Sequence, residues 1–186
     1  MSRKKKFAIC PACITERHRS EITVCLTILD RYERSQYKYY QELKVDSYQT
    51  LIDGDFEWAC DDCLQSKKAV LASPLLQDTA SSVNLAYADQ NSKCRKCGSD
   101  FKFTKEEKRK WYETYKFHLD STPVNCLNCR RQIRQLKAEN KILSSILSKE
   151  KENVTLAEWQ TVVDIYRNWD KPEKAKFYDA VIKKIR

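Results

Sequence analysis

Eight of the nine cysteines fall into four Cys-x-x-Cys pairs: Cys10/Cys13, Cys60/Cys63, Cys94/Cys97 and Cys126/Cys129. A Cys-x-x-Cys turn aims two sulfurs at one point, and two such pairs complete a tetrahedral shell of four thiolates. Four pairs amount to two metal ions, and the chemistry expected is Zn2+, two per chain. An iron–sulfur cluster and a redox dithiol are the other uses of such pairs. A disulfide framework would need an oxidising compartment and usually a secretory signal. The segment Met1–Ile9 is charged and lacks an apolar run of signal-peptide length, and no stretch approaches the roughly 18 apolar residues of a membrane span. The expectation is a cytoplasmic protein with reduced thiols and no membrane partner.

A shell of four thiolates leaves no coordination position for water, so it holds structure and does not activate a nucleophile. The only histidines, His18 and His118, lack ligand spacing to another histidine or a carboxylate. Cys25 is unpaired on an apolar stretch and reads as a buried structural thiol. With two glycines in 186 residues, phosphate-cradling loops are hard to build. No catalytic residue and no organic cofactor is expected, and the protein is read as a non-enzyme.

The cysteines need elements to hold them. Each half repeats one plan: a Cys-x-x-Cys knuckle, an insert, and a second Cys-x-x-Cys running into a helix. That context favours sequential pairing over a cross-braced arrangement. The chain then divides into a basic tip (1–9), a first zinc module (10–74), a connector (75–92), a second zinc module with a long helix (93–150) and a helical C-terminal segment (151–186). In the first module, Ser20 is expected to cap a helix carrying Ile22, Leu26, Leu29, Tyr32, Tyr40 and Leu43, although Ile22–Ile28 also alternates like a strand. Asp53-Gly54, between Leu51-Ile52 and Phe56–Trp58, reads as a two-stranded turn. A helix is expected from Asp61-Asp62 to Ser73-Pro74.

In the second module, Gly98 permits a tight knuckle, Phe101 and Phe103 alternate like a hairpin arm, and Thr104–Glu107 is a capping-box pattern. From Cys126 a polar helix runs to about Lys149, with Ile133, Leu136, Asn140, Leu143 and Leu147 in one seam. Thr155–Glu158 and Asp170–Glu173 start two further helices, whose apolar stripes need something to cover. The fold class is therefore a small α+β zinc-binding protein. It has two treble-clef or zinc-ribbon-like modules with short β-hairpins, plus a helical C-terminal extension.

Residues 94–134 carry Cys94-Arg-Lys-Cys97-Gly98-Ser-Asp-Phe101-Lys-Phe103-Thr104-Lys-Glu-Glu107, then Trp111-Tyr112, Pro123 and Cys126-Leu-Asn-Cys129-Arg130-Arg131. This segment resembles the bacterial probable zinc-ribbon domain family. The resemblance implies a knuckle, a short hairpin, a helix and a second knuckle leading into a basic helix, with the four cysteines as zinc ligands. Lys108 stands where that family has Gln, and no Gly follows the aromatic pair. The family's role is poorly defined, so the resemblance bears on metal and fold.

The net charge of +9 is unevenly spread: +5 over residues 1–20, −6 over 21–90, +8 over 91–150 and +2 over 151–186. A basic module suits a polyanion. Arg95, Lys96, Lys108, Arg109, Lys110, Arg130, Arg131 and Arg134 are the candidate nucleic-acid contacts, with Lys4, Lys5 and Lys6 on the tip. Trp111, Tyr112 and Tyr115 lie among these charges, but Trp111 and Tyr115, four apart, read as core. The functional expectation is a DNA- or RNA-binding module with a regulatory or repair-related role. The alternative is a protein-interaction or self-association module anchored by Tyr37, Tyr39 and Tyr40.

Overall fold

The computed structural model describes residues 7–36, 46–78 and 83–185. Lys4–Lys6, Tyr37, Tyr39, Tyr40 and Leu43 lie outside the described residues. The chain forms two compact units, Met1–Cys126 and Leu127–Arg186.

Among its described residues the first unit contains three two-stranded antiparallel sheets. Strands β1 (Phe7–Ile9) and β2 (Glu16–His18) flank the Cys10–Cys13 knuckle. Strands β5 (Gln90–Lys93) and β6 (Asp100–Phe103) flank the Cys94–Cys97 knuckle. The third sheet pairs β3 (Ala69–Leu71) with β4 (Ala86–Ala88). Helix α1 spans Thr23–Gln36, so the helical reading of Ile22–Ile28 prevails over the strand reading. Its inward positions, Cys25 and Leu29, recur at four-residue spacing and meet Tyr48 and Leu51 of α2 (Ser47–Asp53), Trp58 and Leu85 in one core.

Four local expectations are corrected. Ser20 does not cap α1. His18 caps a 3-10 turn at Arg19–Glu21, and the Asp61 carboxylate accepts hydrogen bonds from Thr23 N (3.0 Å) and Val24 N (3.1 Å), capping α1 from 37–38 residues away. Asp53-Gly54 is no hairpin turn. It ends α2, and a Cβ on Gly54 would sit 2.1 Å from the Phe56 ring, so the glycine serves a close approach rather than a positive φ. The helix after Cys60, α3, covers only Asp61–Gln65 before the chain turns into β3. Residues 83–92 of the expected connector 75–92 are built into the fold rather than lying between modules, since Val83, Leu85 and Tyr87 are fully buried and β4 and β5 each pair in a sheet. The period-two set Val83, Leu85, Tyr87 is a strand signal hidden among the small residues Asn84, Ala86 and Ala88.

The burial of 83–87 merges the cysteine modules within this unit. Tyr87 joins Ala72, Phe103 and Tyr112 in a second core. Lys108, on helix α4 (Lys105–Arg109), pairs with Glu57, and Glu113, on the π-helical turn Lys110–Thr114, accepts from Ser73 N at 2.7 Å. Thr104 caps α4 by accepting from Glu107 N.

Among its described residues the second unit has three α-helices, α5 (Leu127–Leu147), α6 (Leu156–Asn168) and α7 (Pro172–Ile185), with a 3-10 turn at Lys151–Asn153 between α5 and α6. The Thr155/Glu158 capping box is present in full, and Pro172 opens α7 after Asp170 turns the chain at φ 52°. Leu143 and Ile146 of α5 pack with Trp159, Val162, Val163 and Ile182. The seam expected on α5 is only partly used. Leu143 is buried, while Leu136, Asn140 and Leu147 are exposed, and Asn140 donates to Leu136 O within its own helix. Asn140 therefore sets no register in this chain.

Candidate metal centres and basic surface

Two groups of four cysteines have converging sulfurs: Cys10, Cys13, Cys60 and Cys63, and Cys94, Cys97, Cys126 and Cys129. Pairing is sequential. All four sulfurs in each group lie within 4.8 Å of one another, with Cys13–Cys60 and Cys97–Cys126 both at 3.9 Å. Zn–S bonds of ~2.3 Å in a tetrahedron put sulfurs about 3.8 Å apart, so the donor sets fit a four-sulfur zinc shell. Among the described residues no histidine joins either group. His18 caps the 3-10 turn, and His118 Nδ1 lies 3.3 Å from Asp120.

The knuckles are built alike. Ile14 N donates to Cys10 O (2.7 Å) and Gly98 N to Cys94 O (2.9 Å). Cys10 N donates to Thr15 O (3.0 Å) and Cys94 N to Ser99 O (2.9 Å). Both fifth residues adopt positive φ, 56° at Ile14 and 72° at Gly98. Glycine meets that requirement without strain, whereas isoleucine is held there against its preference. The second pair of each group stands at a helix start, Cys60/Cys63 on α3 and Cys126/Cys129 on α5.

Four close thiols cannot all ionise without a cation, and their pKa values spread accordingly. Burial pushes Cys13 up, but hydrogen bonds with Thr15, Cys10 and Cys63 together outweigh it and bring the thiol to about 6. Burial likewise raises Cys94, and the amide groups of Cys126, Cys97 and Lys96 bring it down to about 6. Cys63 is pushed up, by burial first and then by its bonds to Cys60 and Cys13. Cys13 and Cys94 thus give up their protons readily, and binding an ion expels the protons that other ligand thiols still hold. Arg17 Nη2 reaches within 3.9 Å of Cys13 Sγ while Nη1 pairs with Glu21 (2.8 Å) and Asp62 (2.7 Å), balancing the sulfur charge and tying the knuckle to α3. Cys25 is a structural thiol: it donates to Ala59 O at 3.3 Å, and burial pushes its pKa to about 11.

Residues 88–138 match the family of the probable treble clef domain. The matched stretch is a little over a quarter of the chain and agrees with the zinc-binding resemblance carried by residues 94–134. No curated protein and no solved structure matches the chain. The first module lies outside the matched stretch but shares the knuckle and its hydrogen bonds. The protein is thus a small α+β zinc-binding module with two four-cysteine sites. No helix among the described residues is long and apolar enough to cross a membrane.

The candidate basic contacts separate by environment. Arg95 and Lys96 are exposed on the knuckle turn, and Lys110 is exposed. Arg109 is exposed but pairs with Glu113 at 3.3 Å. Lys108 is 5% exposed with Nζ 2.5 Å from Glu57, so its charge is spent inside the protein and its place among the nucleic-acid contacts is corrected. On α5, Arg130 is half-buried, and Arg131 and Arg134 are exposed. Two residues overlooked in the sequence, Lys137 and Lys141, continue the line. Arg130, Arg134, Lys137 and Lys141 are spaced four, three and four, which places them on one helical face. Helical rotation sets that face opposite Glu139 and Ile146, which meet Trp169 and the α6–α7 core. Tyr112 is buried, Trp111 half-buried and Tyr115 60% exposed, which corrects the core reading of Tyr115.

Proposed function

We propose that this protein is a non-catalytic nucleic-acid-binding module in which two zinc ions shape the fold and α5 carries phosphate contacts. Both shells are complete in sulfur, so neither metal is assigned a chemical step. The thiolate ligands suit a reducing compartment such as the cytoplasm.

The observation that carries the reading is the cationic stripe on α5. Arg134, Lys137 and Lys141 are exposed and make no ion pair among the described residues, on the helix side turned away from its own core. From Arg130 to Lys141 the stripe runs about 16 Å, long enough to face several phosphates that advance ~3.4 Å apiece along one strand. Side chains that neutralise phosphates release counterions, so binding should weaken steeply with salt.

The test is a salt titration of binding to random-sequence DNA and RNA. Changing Arg134, Lys137 and Lys141 to Gln should lower affinity for every sequence and flatten the logarithmic salt slope by roughly 2–3, with circular dichroism unchanged. Wild-type protein that binds neither DNA nor RNA at low salt overturns the reading. A concentration-dependent dimer or a protein partner would then take its place.

A further inference from the structure

An exposed aromatic pair in the first unit is used by neither zinc centre. Tyr115 is 60% and Phe117 43% exposed, with ring centroids 6.0 Å apart and planes 58° apart. Exposed rings offer flat apolar faces, and tyrosine adds a polar tip, on which a ligand can be held. Trp111 backs Phe117 at 4.5 Å.

The loop that presents them is held from several sides. Tyr115 N donates to Lys110 O (2.9 Å) and Phe117 N to Trp111 O (3.2 Å). Trp111 Nε1 donates to Ser121 Oγ, whose hydroxyl donates to His118 O. Between the rings, Lys116 sits at φ 55° and its Nζ donates to Leu76 O. The rings are thus positioned before any ligand arrives.

We propose that Tyr115 and Phe117 are a stacking platform for unpaired bases of single-stranded nucleic acid. This rests on the nucleic-acid reading above and names the form of the target. Two rings inclined at 58° make no parallel slot, so each offers its own face to one base. A duplex keeps its bases stacked and paired, whereas a single strand can turn them outward onto aromatic side chains. Leu76, whose carbonyl holds Lys116, adds an exposed apolar edge, but the cations beside the rings suit a strand. Lys110 and Lys116 adjoin the rings and are exposed, while Glu113 on the same segment is buried and engaged by Arg109 and Ser73. Asp120, the remaining acid of the loop, lies 3.3 Å from His118 Nδ1. Beyond it the chain returns to the Cys94 knuckle, where Arg95 N donates to Val124 O and the Arg95 and Lys96 side chains are exposed. An apolar protein surface would have to strip water from those cations, whereas phosphates pair with them.

The experiment uses the full zinc-loaded chain with three probes: a 20-nucleotide oligo(dT), a 20-base-pair duplex and polyphosphate, which has charge but no bases. Tyr115→Ala and Phe117→Ala should each weaken oligo(dT) binding by roughly 5- to 150-fold, the range for losing one stacked base. The salt slope, duplex binding, polyphosphate binding and melting temperature should stay as in wild type, and Tyr115→Trp should restore oligo(dT) binding. Unchanged oligo(dT) affinity in both alanine variants, with the α5 glutamine variant weakened, overturns the platform and leaves the parent reading standing. Equal losses on oligo(dT) and polyphosphate also overturn it, because the rings would then act only through the fold. Failure of wild type to bind any of the three probes removes both proposals and turns the exposed rings into a candidate protein contact.

Discussion

Lys108 offers a sharp test, because its residue type points outward to phosphate and its environment points inward to Glu57. Its Nζ lies 2.5 Å from Glu57 Oε1 and 5.9 Å from the centre of the Phe103 ring, and its side chain is 6% exposed. Breaking a buried pair by removing one partner costs about 3–5 kcal/mol, since the other charge stays behind. The Glu57 side chain keeps 26% of its surface exposed, and water there lowers the penalty to about 2–3 kcal/mol. Lys108→Met keeps the aliphatic stem against Phe103 and removes only the charge. At roughly 3 °C per kcal/mol, the first unit should melt 5–10 °C lower. Adding Glu57→Gln removes the stranded carboxylate and should recover at least about 1 kcal/mol, a coupling that a double-mutant cycle measures. The assay is thermal melting in excess zinc, followed by circular dichroism, with nucleic-acid binding measured alongside on folded protein. A melting shift below about 1 °C together with lost nucleic-acid affinity would refute the argument and return Lys108 to the surface.

Ile14→Gly should stabilise the first knuckle by about 0.5–1 kcal/mol, because Ile14 holds φ 56° with 76% of its surface exposed; a denaturant midpoint at or below wild type would contradict this. Elemental analysis should find two zinc ions per chain. A chelator should remove them in two phases, the fast one lost in Cys97→Ser, because Cys97 is exposed and Cys126 half-buried while Cys10, Cys60 and Cys63 are buried; single-phase release would count against the asymmetry. Glu158 is held down at about 2 by its bonds to Lys149 and the Thr155 amide, below its ordinary 4.5. Its contribution is therefore fully present above about pH 4.5 and lost as pH falls toward 2, and Glu158→Gln should flatten the acid limb of the melting profile in that window.

The cysteine spacing by itself pointed to metal and to the knuckles, because a Cys-x-x-Cys turn is local geometry that needs few other residues, whereas the sequential pairing, only favoured by the repeat, joins pairs far apart in the chain and was decided by the fold. Gly98, Phe101/Phe103 and the Thr155/Glu158 box were equally legible, since each depends on neighbours within a few positions. Misreadings arose where distant residues decide. Asp61 opens α3 as expected, but its carboxylate also caps α1, which no local pattern shows. Asp53-Gly54 looks like a hairpin turn, yet Tyr48 and Leu51 meet the first core from a helix. Val83, Leu85 and Tyr87 look like part of a linker until β3 and Glu57 supply their partners. Lys108 and Tyr115 show the limit most directly. Charge and aromaticity belong to the residue, but whether lysine faces phosphate or Glu57, and whether tyrosine is core or platform, depends on which surfaces the folded chain covers. Burial is a property of the packed whole, and only the tertiary structure decides it.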